Sequence, residues 1–94
     1  MYLSKNLIAI KGIKMKYRKK PIVIEALQYD GMILNVAAKF PNIAIGQINK
    51  NEFWVQTLEG KMSGAIGDYI IKGIEGEYYI CEKSIFEKTY EKVS

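Results

Sequence analysis

The residues best suited to chemistry in this chain are cations. Lys14, Lys16, Arg18, Lys19 and Lys20 crowd into one short stretch, with Tyr17 among them. Such a run can track phosphates by charge, while a tyrosine within it can stack on a base. Arg18 is the only arginine in the sequence, so two-pronged recognition of guanine or phosphate has a single donor fork to work with. In extended backbone, positions 14, 16, 18 and 20 share one face of a strand. The plain alternative is therefore a solvated edge strand whose lysines oppose edge-to-edge aggregation.

Other chemistries are poorly provided for. The chain has no histidine, which removes the commonest general base and metal ligand. Cys81, its one thiol, lies between Ile80 and Glu82 with Lys83 as the only nearby cation, the setting of a small buried hydrophobe rather than a reactive thiolate. One thiolate without imidazole does not make a zinc site. A perturbed carboxylate or lysine is the remaining route to catalysis, and the expectation is a protein with no catalytic residue, metal or cofactor. Gly67-Asp68 admits two readings: a ligand-facing turn whose carboxylate accepts from a hydroxyl, or a turn in which Asp68 binds its own backbone. Glu75 and Glu77 straddle a turn and read as outward-facing solubility charge.

Adjacent aromatics supply a second binding candidate. Neighbours in a strand face opposite ways, so Phe53-Trp54 and Tyr78-Tyr79 cannot each send both members into one core. An uncovered Trp54, Tyr78 or Tyr79 would form a patch for a partner protein or for a second copy. Cover by a helix or by a dimer interface is the other reading.

Ninety-four residues, 49% of them hydrophobic, make one domain with a modest core. Residues 1–20 hold seven bases and no acid, whereas the remainder holds seven bases and ten acids; +7 and −3 recover the net charge of +4. The pattern is a mildly acidic domain carrying a basic N-terminal arm. Residues 1–14 read as an N-terminal extension and 15–94 as a single small domain, with a possible start at Met15. Leu7-Ile8-Ala9-Ile10 is too short for a signal-peptide core and could be a short strand or one helical turn. A lone cysteine and no apolar run of spanning length lead to the expectation of a soluble, cytoplasmic protein.

The elements that must position these residues follow from periodicity. Pro21 opens a β-branched run, 22–29, closed by Asp30-Gly31. Ile33, Val36, Ala37 and Phe40 have the spacing of one helix face, and Pro41-Asn42 ends it. Ile43, Ile45 and Ile48 suggest a weak strand broken by Gly46. Strands are expected at 52–58, 61–63, 69–72 and 77–81, with Glu59-Gly60 and Glu75-Gly76 as tight turns, so that 52–81 reads as one antiparallel meander. Ser84 followed by Glu87 predicts a capping box that starts a C-terminal helix with Ile85, Phe86, Thr89, Tyr90 and Val93 on one stripe. The fold class is α+β: a mainly antiparallel sheet with a central helix and a capped C-terminal helix.

Four blocks carry a resemblance. Met15-Lys16-Tyr17-Arg18-Lys19-Lys20-Pro21-Ile22-Val23-Ile24-Glu25-Ala26, Thr57-Leu58-Glu59-Gly60, Gly67-Asp68-Tyr69-Ile70-Ile71-Lys72-Gly73 and Ile85-Phe86-Glu87-Lys88-Thr89-Tyr90-Glu91 together resemble a family of small phage and prophage proteins of unassigned activity. The resemblance covers about 15–91 and is weakest over 32–51. Ile66 and Ile80 stand where that family's pattern has proline, and Glu82 where it has lysine. The resemblance implies a phage-encoded accessory protein made in the cytoplasm of a host bacterium and acting by binding.

The functional expectation is accordingly a non-enzymatic protein that inhibits a host factor, such as an anti-phage defence component. Its contacts would come from Lys14, Lys16, Tyr17, Arg18, Lys19 and Lys20, and from the exposed members of Trp54, Tyr78 and Tyr79. Direct nucleic-acid binding through the arm is the first alternative. Sequestration of a nucleotide between aromatics, in the cleft of a homodimer, is the second.

Overall fold

The computed structural model describes residues 12, 14–18 and 20–93. Two three-stranded antiparallel sheets carry the domain. In chain order the elements are β1 (Glu25–Gln28), α1 (Ile33–Lys39), β2 (Ile45–Gln47), β3 (Glu52–Thr57), β4 (Gly60–Ala65), β5 (Tyr69–Lys72), β6 (Tyr78–Cys81) and α2 (Lys83–Thr89). One sheet has the order β1-β5-β6 and the other β2-β3-β4. The α+β class is as expected, but the meander is divided. The β3–β4 and β5–β6 hairpins are both present, and between them the chain changes sheet.

That change is made by the turn from Ala65 to Asp68, which is stitched to distant backbone. Ile66 N donates to Asn51 O at 2.9 Å and Gly67 N to Tyr29 O at 2.9 Å, while Tyr29 N donates to Asp68 O at 2.8 Å. Asp68 also binds its own turn, accepting from Ala65 N at 3.0 Å through Oδ2. This is the second of the two readings open for Gly67-Asp68. In the β3–β4 hairpin the two loop residues are Leu58 and Glu59, one position earlier than expected. Gly60 pairs with Thr57 at φ +111°, a conformation in which a side chain would be strained.

The core lies between the sheets and α1. Phe53 and Val55 point inward from β3, as strand parity requires, and meet Ile70 of β5 with Val36 and Phe40 of the α1 segment. Tyr29, only 1% exposed, lays its ring on Phe53 with centroids 4.1 Å apart. α1 follows an aspartate turn, since Asp30 Oδ1 accepts from Met32 N at 3.0 Å and Oδ2 from Asn35 Nδ2 at 2.7 Å. These bonds, that from Asn35 foremost, hold the Asp30 carboxyl below its ordinary pKa.

The expected capping box is absent. α2 begins at Lys83 with Glu82 in the cap position, and Ser84 Oγ lies 2.6 Å from Glu82 Oε1 instead of capping the helix. Asp68 takes over, its Oδ1 accepting from Lys83 N at 3.1 Å. One carboxylate thus ties the sheet-changing turn to the start of the C-terminal helix. The helix then lays Phe86 on Tyr69 of β5, 3.8 Å between centroids and 10° between planes, with Tyr90 4.8 Å from Phe86.

Candidate binding surface

The arm's described cations are exposed. Lys14, Lys16, Tyr17, Arg18 and Lys20 are all exposed, Tyr17 at 90%. Lys19 and the expected Leu7–Ile10 element lie outside the described residues. The arm's described residues, through Ile24, form no strand, so the edge-strand reading of the alternating cations is corrected. The cause is the length of the available partner. β1 pairs only Glu25 to Gln28, against Lys72 to Tyr69 of β5; beyond Lys72 the chain turns back at Gly73, whose N–H donates to Glu77 O at 2.7 Å. Among the described residues no strand runs beside residues 20–24 to complete a ladder, and alternation alone cannot supply one.

The aromatic candidates are placed apart. Tyr78 enters the main core, its ring 5.4 Å from that of Phe40. Tyr79, next along β6, points to the opposite face and is hydrogen-bonded to Tyr90 beyond α2; burial first, then the neighbouring Tyr90, pushes its hydroxyl pKa up. Both are half-buried. Trp54 belongs to the other sheet, half-buried on the outward side of β3. Its indole lies over Gly46 so closely that a Cβ there would collide with it, and Lys61 Nζ stands 4.3 Å from the ring centroid. A cation at that distance contributes about 0.5–1 kcal/mol at an exposed site. Gly46 is thus a packing requirement of Trp54 rather than a break in the strand. The arm and the three aromatics do not converge on one site.

Cys81 is half-buried rather than buried. Burial first, then the charges of Asp68 and Glu82, raises its thiol pKa, which opposes thiolate formation at neutral pH. Among the described residues no cluster of His, Cys, Asp and Glu could hold a metal ion, and no helix is long and apolar enough to cross a membrane.

One surface escaped the sequence reading. A groove of about 780 Å³ runs between residues 21–24 and α2, lined by Ile22, Ile24, Tyr69, Phe86, Tyr90 and Val93, with Glu87 and Glu91 also facing it. α2 has no fully buried residue, and Val23 and Val93 are 72% and 70% exposed. The available signal is the apolar run Ile22-Val23-Ile24 directly after the arm, where the sequence predicts the first half of a strand over 22–29. No family model matches the chain, and searches of curated proteins and of solved structures return no match.

Proposed function

We propose that this protein is a non-enzymatic binding protein that engages an acidic surface of a host bacterial factor through its N-terminal arm and thereby inhibits that factor. The observation that carries the reading is the arm itself: Lys14, Lys16, Arg18 and Lys20 stand exposed outside both sheets, on a domain whose remaining charge is net negative. Such an arm speeds encounter with an acidic partner and selects against basic ones, leaving the folded domain to occlude the bound surface. A chain without histidine and with a raised thiol pKa favours binding over catalysis. The phage resemblance points to a host protein as the partner, with anti-phage defence components as the class to test first.

A second reading rests on Tyr17, which is 90% exposed between Lys16 and Arg18 and is therefore placed to stack on an unpaired base. Capture from a bacterial lysate, with and without nuclease, separates the two. The full chain should retain a specific protein after nuclease, and a variant with Lys14, Lys16, Arg18 and Lys20 changed to Glu should lose it. Recovery of nucleic acid alone, with affinity falling steeply as salt rises, would replace the first reading by the second. Retention of the partner by the charge-reversed variant would remove the arm from the mechanism.

A further inference from the structure

We infer that the groove beside α2 and the outer edge of β1 form an interface between two copies of this chain, closed by antiparallel pairing of residues 20–28 about a two-fold axis. β1 ends its sheet, so among the described residues its outer edge has no strand beside it. Ala26 and Gln28 face the side of the sheet that carries α2, because they pair with Ile71 and with Tyr69, the residue stacked on Phe86, and Ile22 and Ile24 line the groove on that side. Edge strands normally defend themselves with charge or a bulge. Here the edge carries the apolar run Ile22-Val23-Ile24, its first two residues exposed and Ile24 half-buried, with Glu25 as the one charge before Gln28.

Register follows from parity and charge. With the two-fold perpendicular to the sheet, residues opposite one another face the same side, so their numbers must share parity. Centring on Glu25 would oppose two like charges. Centring on Ile24 sets Ile22 beside the partner's Ala26 and Lys20 beside the partner's Gln28. The apolar row then continues from one copy to the next along the α2 side, over the groove. Lys20 arrives level with the partner's Tyr69, whose counterpart in each copy places its hydroxyl 3.5 Å from Glu87 Oε2. A base from each arm thus meets an acid of each helix, twice by symmetry. The pairing displaces one local contact, Ile22 N–H to Lys20 O at 2.8 Å.

Sedimentation equilibrium of the purified full chain tests this without any host partner, so its outcome is separate from that of the lysate capture. A mass of about twice the 10.7 kDa chain is expected at micromolar concentration. Ile22→Glu, Lys20→Glu and Glu87→Lys should each weaken association tenfold or more while leaving the circular-dichroism melt of the monomer in place. The double variant Lys20→Glu with Glu87→Lys should recover it. A monomer at concentrations up to roughly 100 micromolar overturns the inference. So does a dimer indifferent to all three single changes, or one that the charge swap fails to restore.

Discussion

The two faces of the β1-β5-β6 sheet are finished to different degrees. On one face Ile70 meets Phe53, Val55, Val36 and Phe40, all buried, with Leu27, Tyr78 and Ile80 packed around them. On the other, Tyr69, Ile71 and Tyr79 are roofed by a helix of seven residues that buries none of its own. Ile71 is fully covered there, yet Ile22, Ile85 and Val93 remain exposed a few residues away. The first face is a core that holds the fold; the second is a half-built layer whose apolar surface stays partly exposed. The buried core and the open layer thus lie on opposite sides of the same four-residue strand.

Truncating one aromatic on each side gives the largest contrast. Phe53→Ala empties a fully buried site and should cost about 3–5 kcal/mol in urea unfolding. Phe86→Ala removes a half-buried ring and both of its stacked pairs, with Tyr69 and with Tyr90, and should cost about 1–2 kcal/mol. Equal losses would mean that the helix layer is as much core as the other face.

The link between the faces comes next. Asp68→Ala removes the acceptor for both Ala65 N and Lys83 N, with an expected loss of about 1–2 kcal/mol. Hydrogen exchange should report it unevenly. The Phe86 and Tyr90 amides, which donate to Glu82 O and Phe86 O, should lose protection before those of Phe53 and Ile70. Uniform acceleration would show that the helix opens only with the whole domain.

A smaller effect probes the inner face alone. The Tyr29 hydroxyl is buried and has no hydrogen-bond partner among the described residues, and its pKa is raised chiefly by that burial and then by Asp30. Removing an unsatisfied polar atom from a core is close to neutral or stabilising, so Tyr29→Phe should shift stability by about 1 kcal/mol or less, upward. A clear loss would reveal a bound partner for the hydroxyl and a less dry core than described.

The smallest expected change is at the rim, from Asp30. Its carboxyl is held below the usual 3.8 by Asn35 and the Met32 N–H. A depressed carboxyl stabilises the fold above the ordinary carboxylate range and loses that contribution as pH falls through its folded value. The difference in melting temperature between the wild-type chain and Asp30→Asn should be present at pH 6 and shrink toward pH 3. A difference that grows on acidification would reverse the assigned sign.

What could be read in advance was what depends on parity and local period. Phe53 and Val55 inward with Trp54 outward, the helix over Ile33 and Val36, and the placement of Tyr78 and Tyr79 on opposite faces all follow from neighbours in sequence. The Ser84 cap failed because the winning acceptor, Asp68, lies fifteen residues upstream of Lys83 and is brought in by tertiary structure. The arm strand failed because the alternation of Lys14, Lys16, Arg18 and Lys20 says nothing about how long β5 is. The groove was illegible for a related reason: it is defined by what does not cover Ile22 and Val93.

The bond from Lys83 N to Asp68 also sets an order of events. A seven-residue helix is well short of the roughly 12–15 residues needed for even marginal independent helicity in water. Its acceptor is in position only after the Ala65–Asp68 turn has been drawn against Tyr29 and Asn51. Helix formation is therefore expected to follow assembly of both sheets, and helix loss to precede theirs. On that order the C-terminal segment is a latch that closes on a finished scaffold, and its opening would bare the Tyr69 face.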